Sequence, residues 1–184
     1  MTATAFGMPI EGEVRHSGSS PVEQRDPKIL GDLFAGLFSF PQLKALVWEQ
    51  YTPYFNDGDV CEFSVHGYSL RVAFHDAEPG DDDYYDDGFF RIDDGDLLEY
   101  DYDYDNKDYS SGYGRPTRNN IRIGNDVARA VLGDDADKVA VLINSLYTEL
   151  DSGGHDVFLR STFGDHAEIT ATIDGFSIDY YEHD

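Results

Sequence analysis

The sequence predicts an α+β fold: N-terminal helices, a mostly antiparallel sheet built from two helix-hairpin halves, and one central helix. Three observations predict it. Apolar residues recur at three-and-four spacing over 27–39 and again over 139–150, and the period falls to two over 60–74 and near the C-terminus. The length, 184 residues, fits one domain on the scale of about 100 to 200 residues.

Residues 1–25 hold small and polar types, Gly18, Ser19, Ser20 and Pro21 among them, without a sustained period, and read as a flexible arm before a single domain over 26–184. Asp26-Pro27 reads as an N-cap and first helical residue, followed by Ile29, Leu30, Leu33, Phe34, Leu37 and Phe38 at helical spacing. After Pro41, Leu43, Leu46 and Val47 predict a second short helix ending near Tyr51. Cys61, Phe63 and Val65, then Tyr68, Leu70, Val72 and Phe74, alternate with polar residues, which predicts two strands around a His66-Gly67 turn.

Ser110 to Asn120 reads as a loop. Val127, Ala130 and Val131 resume helical spacing, Gly133 breaks it, and Val139, Leu142, Ile143, Leu146 and Leu150 predict the central helix, with acids Asp134 and Asp137 at its start and Gly153-Gly154 as its stop. Val157 to Thr162, Ala167 to Ile173 and Phe176 to Tyr181 read as strands, with Asp174-Gly175 as a tight turn. Tyr51-Thr52 and Tyr147-Thr148, each followed by a glycine and a strand pair, lie 96 residues apart, a faint echo between the two halves.

Charge is the largest anomaly. There are 37 Asp and Glu against 13 Lys and Arg, a formal net charge of −24. Direct nucleic-acid binding is disfavoured, because the scattered basic residues form no cluster to meet a polyanion. Twelve Phe, 13 Tyr and one Trp supply the apolar surface that a disordered acidic chain lacks. A core is therefore expected, opposed by self-repulsion that salt relieves, so stability should rise with ionic strength.

Cys61 is the one cysteine, which excludes an intramolecular disulfide and a multi-cysteine zinc site. Neither a secretion signal nor a run of about 18 apolar residues is found, and a cytoplasmic setting is expected. No cofactor is expected, since neither phosphate-loop motif occurs.

The segment Trp48-Glu49-Gln50-Tyr51-Thr52-Pro53-Tyr54-Phe55-Asn56-Asp57-Gly58-Asp59-Val60-Cys61-Glu62-Phe63-Ser64-Val65 resembles a recurring signature of uncharacterised proteins from tailed phages and bacteria. The resemblance implies a phage-borne protein and carries no activity. Physically the stretch reads as a helix exit and a Pro-ordered loop with Trp48, Tyr51, Tyr54 and Phe55 as packing anchors. Asn56, Asp57 and Asp59 around Gly58 present the oxygens that a small cation would need.

Other chemistry is weakly marked. Asp101, Asp103, Asp105 and Asn106 place oxygens at alternate positions, but an EF-hand loop also needs Gly at its sixth position and Glu at its twelfth, where this stretch has Asn106 and Gly112. With so many acids, some carboxylate pair always meets a catalytic spacing on paper. His155-Asp156, after two glycines, reads as the most exposed histidine pair. A small divalent-metal or ligand-binding module or enzyme, with a site around Asn56 to Asp59 and His155, is one alternative; a virion structural component is another.

The leading expectation uses the acidic insert at 76–108, which holds 15 acids against Arg91 and Lys107. Glu99, Asp101, Asp103 and Asp105 alternate with Tyr100, Tyr102 and Tyr104, so in a strand the acids share one face. Alternate strand residues advance roughly 6.6 to 6.8 Å, close to two nucleotide steps along DNA. Asp81, Asp82, Asp83, Asp86, Asp87, Asp93, Asp94 and Asp96 would extend this field. The expected function is that of a non-enzymatic nucleic-acid mimic whose acids occupy a basic protein surface, such as that of a host nucleic-acid-binding or defence protein.

Overall fold

The computed structural model describes residues 4–12, 22–54, 61–79, 88–92, 96–108 and 115–180, with backbone alone for 67, 68, 102–108 and 115–119. Its elements are β1 (Thr4–Ala5), β2 (Met8–Glu11), α1 (Lys28–Leu37), β3 (Leu43–Tyr51), β4 (Ser64–Phe74), β5 (Phe90–Arg91), β6 (Leu98–Asp108), β7 (Arg115–Ile123), α2 (Asp126–Leu132), α3 (Ala136–Asp151), α4 (Asp156–Phe163), β8 (Ala167–Thr172) and β9 (Gly175–Tyr180).

Seven strands form one sheet in the order β1-β2-β9-β8-β3-β4-β5, while β6 and β7 make a separate two-stranded ribbon. The β2–β9 pair is parallel and the other pairs are antiparallel. This corrects the expected α+β arrangement of N-terminal helices and two helix-hairpin halves. The fold is a mixed α/β structure dominated by sheet, with three of the four α-helices among the described residues in the C-terminal half.

The second predicted helix is β3. It lies centrally between β4 and β8, and residues on both of its faces are buried: Leu43, Ala45, Leu46, Val47, Trp48, Gln50 and Tyr51. A strand buried on both faces shows a continuous apolar run, not a period of two, and three- and four-residue spacings occur in such a run by default. The echo with Tyr147 fails for the same reason, since Tyr51 ends a strand and Tyr147 lies within α3.

The expected hairpin at 60–74 is one strand, β4, with a wide irregularity where His66 pairs with Glu49 and Arg71 with Val47. Ser69 closes the gap. Its hydroxyl accepts from the Glu49 N–H at 2.8 Å and donates to the His66 carbonyl at 2.6 Å, replacing a missing ladder contact inside the protein. Val157 to Thr162, expected as a strand, lies within α4, whose buried Leu159 and Phe163 are four residues apart. Arg115 to Asn120, expected as loop, belongs to β7.

Part of the segment read as an arm is described, residues 4–12 and 22–25. Strands β1 and β2 extend the sheet, with Ala5 and Ile10 buried. Gly175, at φ +148°, begins β9 against them: a Cβ there would meet the Pro9 carbonyl oxygen at 2.6 Å. Only a residue without a side chain allows that approach.

The core is centred on Trp48, fully buried, with Phe34 at 5.7 Å, Phe163 edge-on at 5.7 Å and Phe176 at 6.4 Å between ring centres. These contacts place α1 and α4 on the same face of the sheet. The Trp48 indole donates to Gln50 Oε1, and Gln50 Nε2 donates to the Leu159 and Gly164 carbonyls at 3.2 and 2.6 Å. A fully buried amide thus uses its hydrogen-bonding groups to hold α4 on β3. Tyr54, expected as an anchor, is 65% exposed.

Candidate functional site

The ribbon is rooted by its first residues. Leu97, Leu98 and Ile123 are buried, the Tyr100 hydroxyl donates to Asn144 Oδ1 on α3 at 3.2 Å, and β7 packs on α3 and α2. Arg129 on α2 clamps the Ile123 carbonyl through its Nε at 2.9 Å and through a second guanidinium nitrogen. An isolated two-stranded ribbon is marginal in water, so this root fixes where it stands.

Just beyond the root, Arg122 lies opposite Glu99 and contacts Glu99 Oε1 and Asp101 Oδ1, each at 2.9 Å. The Asn120 side-chain amide donates a hydrogen bond to Asp101 Oδ2 at 3.3 Å. The Asn120 backbone is left-handed, φ +47°, where the ladder shifts register between Glu99 and Asp101. Asparagine tolerates that conformation better than most side chains. The Arg122 hydrogen bond, then the Asn120 bond, then the Arg122 charge hold the Asp101 carboxyl below its ordinary range.

The acids expected to bind a partner therefore fall into distinct settings. Glu99 and Asp101 are exposed but paired within the chain. Asp96 is half-buried in the turn before β6, and Asp103 and Asp105 lie on the β6 backbone. Asp81, Asp82, Asp83, Asp86, Asp87, Asp93 and Asp94 lie outside the described residues, as do Asn56, Asp57 and Asp59. A second register shift, between Asp103 and Lys107, interrupts the strict two-residue repeat before it passes Asp105. The regular phosphate-like pitch expected from the sequence does not continue along the whole strand.

His155 and Asp156 are buried at 1% and 4% exposure, not displayed on a turn. Gly153 at φ +70° folds the chain back, and the segment before α1 covers the turn. The Arg25 N–H donates to the Gly154 carbonyl, Gln24 Nε2 to the Gly153 carbonyl, and the Val157 N–H to Gln24 Oε1. Beneath them Glu149 Oε2 receives both His155 Nε2 at 2.9 Å and Arg25 at 2.8 Å. Burial pushes the Glu149 carboxyl up, but the His155 and Arg25 hydrogen bonds together outweigh it, and the net direction is down.

Two further polar groups went unmarked in the sequence. Asp165 accepts from the Thr52 and His166 N–H groups at Oδ1, and from the Thr52 hydroxyl and Arg160 at Oδ2, at 2.7 to 2.9 Å. Four donors occupy its acceptor positions, so it ties β3 to α4 and β8 and has little capacity left to take a proton from a ligand. On the sheet face away from the helices, Arg71 pairs with Glu168 and lies 3.9 Å from Glu49, while His66 stacks on Tyr51 at 3.7 Å. The signal for the second group was only the presence of charged residues inside apolar strands, and Asp165, in the connection between α4 and β8, carried none.

Among the described residues no three His, Cys, Asp or Glu side chains are grouped to hold a metal ion, and no helix is long and apolar enough to cross a membrane. A cleft of about 440 Å³ beside the α3–α4 turn is lined in part by Glu62, Asp151 and Asp156. Comparison with protein-family models, characterised proteins and solved structures returns no match to this chain.

Proposed function

We propose that this chain is an acidic, non-enzymatic interaction protein that occupies a basic surface of a nucleic-acid-binding or defence protein, and that it is phage-borne. The observation that carries the reading is the density of acid at 76–108, 15 carboxylates against two bases, joined to a body that buries a well-packed aromatic core. A basic groove built for nucleic acid is attracted by such a field, which speeds encounter and makes the complex sensitive to salt. Attraction of this kind needs negative potential over a surface, and the proposal stands without a strict phosphate pitch.

The test is capture from a bacterial lysate by the intact chain and by a form with every Asp from Asp81 to Asp105 changed to Asn. The proposal predicts a basic protein retained by the intact form alone and displaced by duplex DNA. Equal retention by the two forms contradicts it. A second reading, a site for a small cationic ligand, draws on the three carboxylates of the 440 Å³ cleft. Calorimetry with spermidine checks it: saturable one-to-one heat lost in Asp151→Asn supports a ligand site, and weak linear heat opposes it.

A further inference from the structure

We propose that the outer edge of β6, from Asp101 to Asp108, takes up an extended Lys- or Arg-rich segment of a partner protein as a third strand of the ribbon. This deepens the function proposed above and rests on it. The sheet order gives β6 one ladder partner among the described strands, β7, and it is β7 that packs against α3. One side of the β6 ladder is thus filled by the chain itself, and among the described residues no strand fills the other.

Proteins usually blunt such edges with proline, with very short strands or with charge. β6 has 11 residues and no proline, whereas β7 carries Pro116. At roughly 3.3 Å per residue the strand is long enough to template several main-chain hydrogen bonds. Two features guard it: the register shift between Asp103 and Lys107, which divides the edge into two shorter runs, and charge, with Glu99, Asp101, Asp103, Asp105 and Asp108 against Lys107.

That charge selects the occupant. A second copy pairing along β6 would set acids beside acids, which is destabilising across a ladder. The same acids meet the side chains of a basic strand favourably. Within the chain this complementarity is already used: β7, with Arg115, Arg118 and Arg122, is the strand that pairs with β6, and Arg122 contacts Glu99 and Asp101 at 2.9 Å. An incoming basic strand would repeat on the outer edge what β7 does on the inner one. Main-chain bonds would supply affinity and the acids would supply selectivity.

The experiment uses the full chain and two probes: a ten-residue alternating Lys-Thr peptide, and the same peptide N-methylated at every residue, which keeps its charges and loses its ladder donors. Binding is read by fluorescence anisotropy, and amide hydrogen exchange is followed over residues 101–108. The proposal predicts that the unmodified peptide binds, slows exchange in β6, and outcompetes the methylated peptide at least about tenfold. Equal binding of the two peptides overturns the edge and leaves the electrostatic reading standing. Protection confined to residues outside β6 also overturns the edge, and failure of both peptides to bind overturns both readings.

Discussion

Arg122 lies across the ribbon from Glu99 and holds it at 2.9 Å while gripping Asp101 at the same distance. The most acidic stretch of the chain is therefore partly neutralised by its own neighbouring strand, and the field offered to a partner is what remains. Arg122→Gln removes that neutralisation. The Asp101 carboxyl, now held low by Arg122 and Asn120, should titrate at higher pH in a carbon-detected NMR titration. The same variant should bind a basic partner more tightly, because it frees two carboxylates at the root of β6 and removes a positive charge. An unchanged Asp101 titration would show that the pair does not hold in solution.

Asp165 gives a different prediction, because both it and Arg160 are buried. Removing one partner of a buried pair leaves the other charge without compensation, at a cost of about 3 to 5 kcal/mol. Asp165→Ala should lower the urea midpoint accordingly. Asp165→Asn, which keeps the shape and some of the bonds, should cost less. Equal effects would mean that the lost charge accounts for the whole cost and that the retained shape and bonds contribute nothing.

Ser69 bridges the irregularity in β4 with two hydrogen bonds while only 9% exposed. Ser69→Ala should destabilise by about 1 to 3 kcal/mol, the range for leaving a buried backbone group unsatisfied. Ser69→Thr keeps the hydroxyl and should restore much of the loss. Chemical denaturation of the two variants separates this account from a simple packing effect, in which threonine would be no better than alanine.

Glu149 links acid stability to the segment before α1. Its folded carboxyl titrates below the ordinary glutamate value of about 4.3. Its contribution is therefore fully present above that value and is lost as pH falls through the lower folded value. Glu149→Gln should weaken the protein at neutral pH and flatten the part of the stability profile between those two values. A parallel downward shift of the whole profile, with its acid slope intact, would contradict the assignment.

How much of this was legible beforehand depended on whether an element had one buried face or two. α1 and α3 each bury a single stripe, Leu30, Phe34 and Leu37 in the first and Val139, Ile143, Leu146 and Leu150 in the second, and their period shows plainly in the sequence. β8 and β9 show alternation because one face of each meets the helices. β3 is buried on both faces and lost its period, although Val47, Trp48, Tyr51 and Thr52 carried a β-rich composition that favoured a strand. In β4 the bulge looked like a turn, since His66-Gly67 has turn chemistry and only the pairing to β3 shows that the strand continues.

The site divided in the same way. Acid density is a property of composition and could be read directly. The pairing of β6 with the arginine-bearing β7 could not, because Arg115, Arg118 and Arg122 are separated from the acids by a connection whose composition reads as loop. His155 looked exposed because two glycines precede it, and Gln24 and Arg25, which cover it, lie more than a hundred residues away in sequence.

The most direct measurement is the affinity of the intact chain and of the triple variant Asp101→Asn, Asp103→Asn, Asp105→Asn for the basic protein retained in the capture experiment, at about 50 and 200 mM salt, with urea midpoints taken in parallel. The account predicts at least about a tenfold loss for the variant at the lower salt, a steep salt dependence for the intact chain alone, and unfolding midpoints that stay together. Equal affinities with equal salt slopes would contradict the claim that this strand is the binding surface.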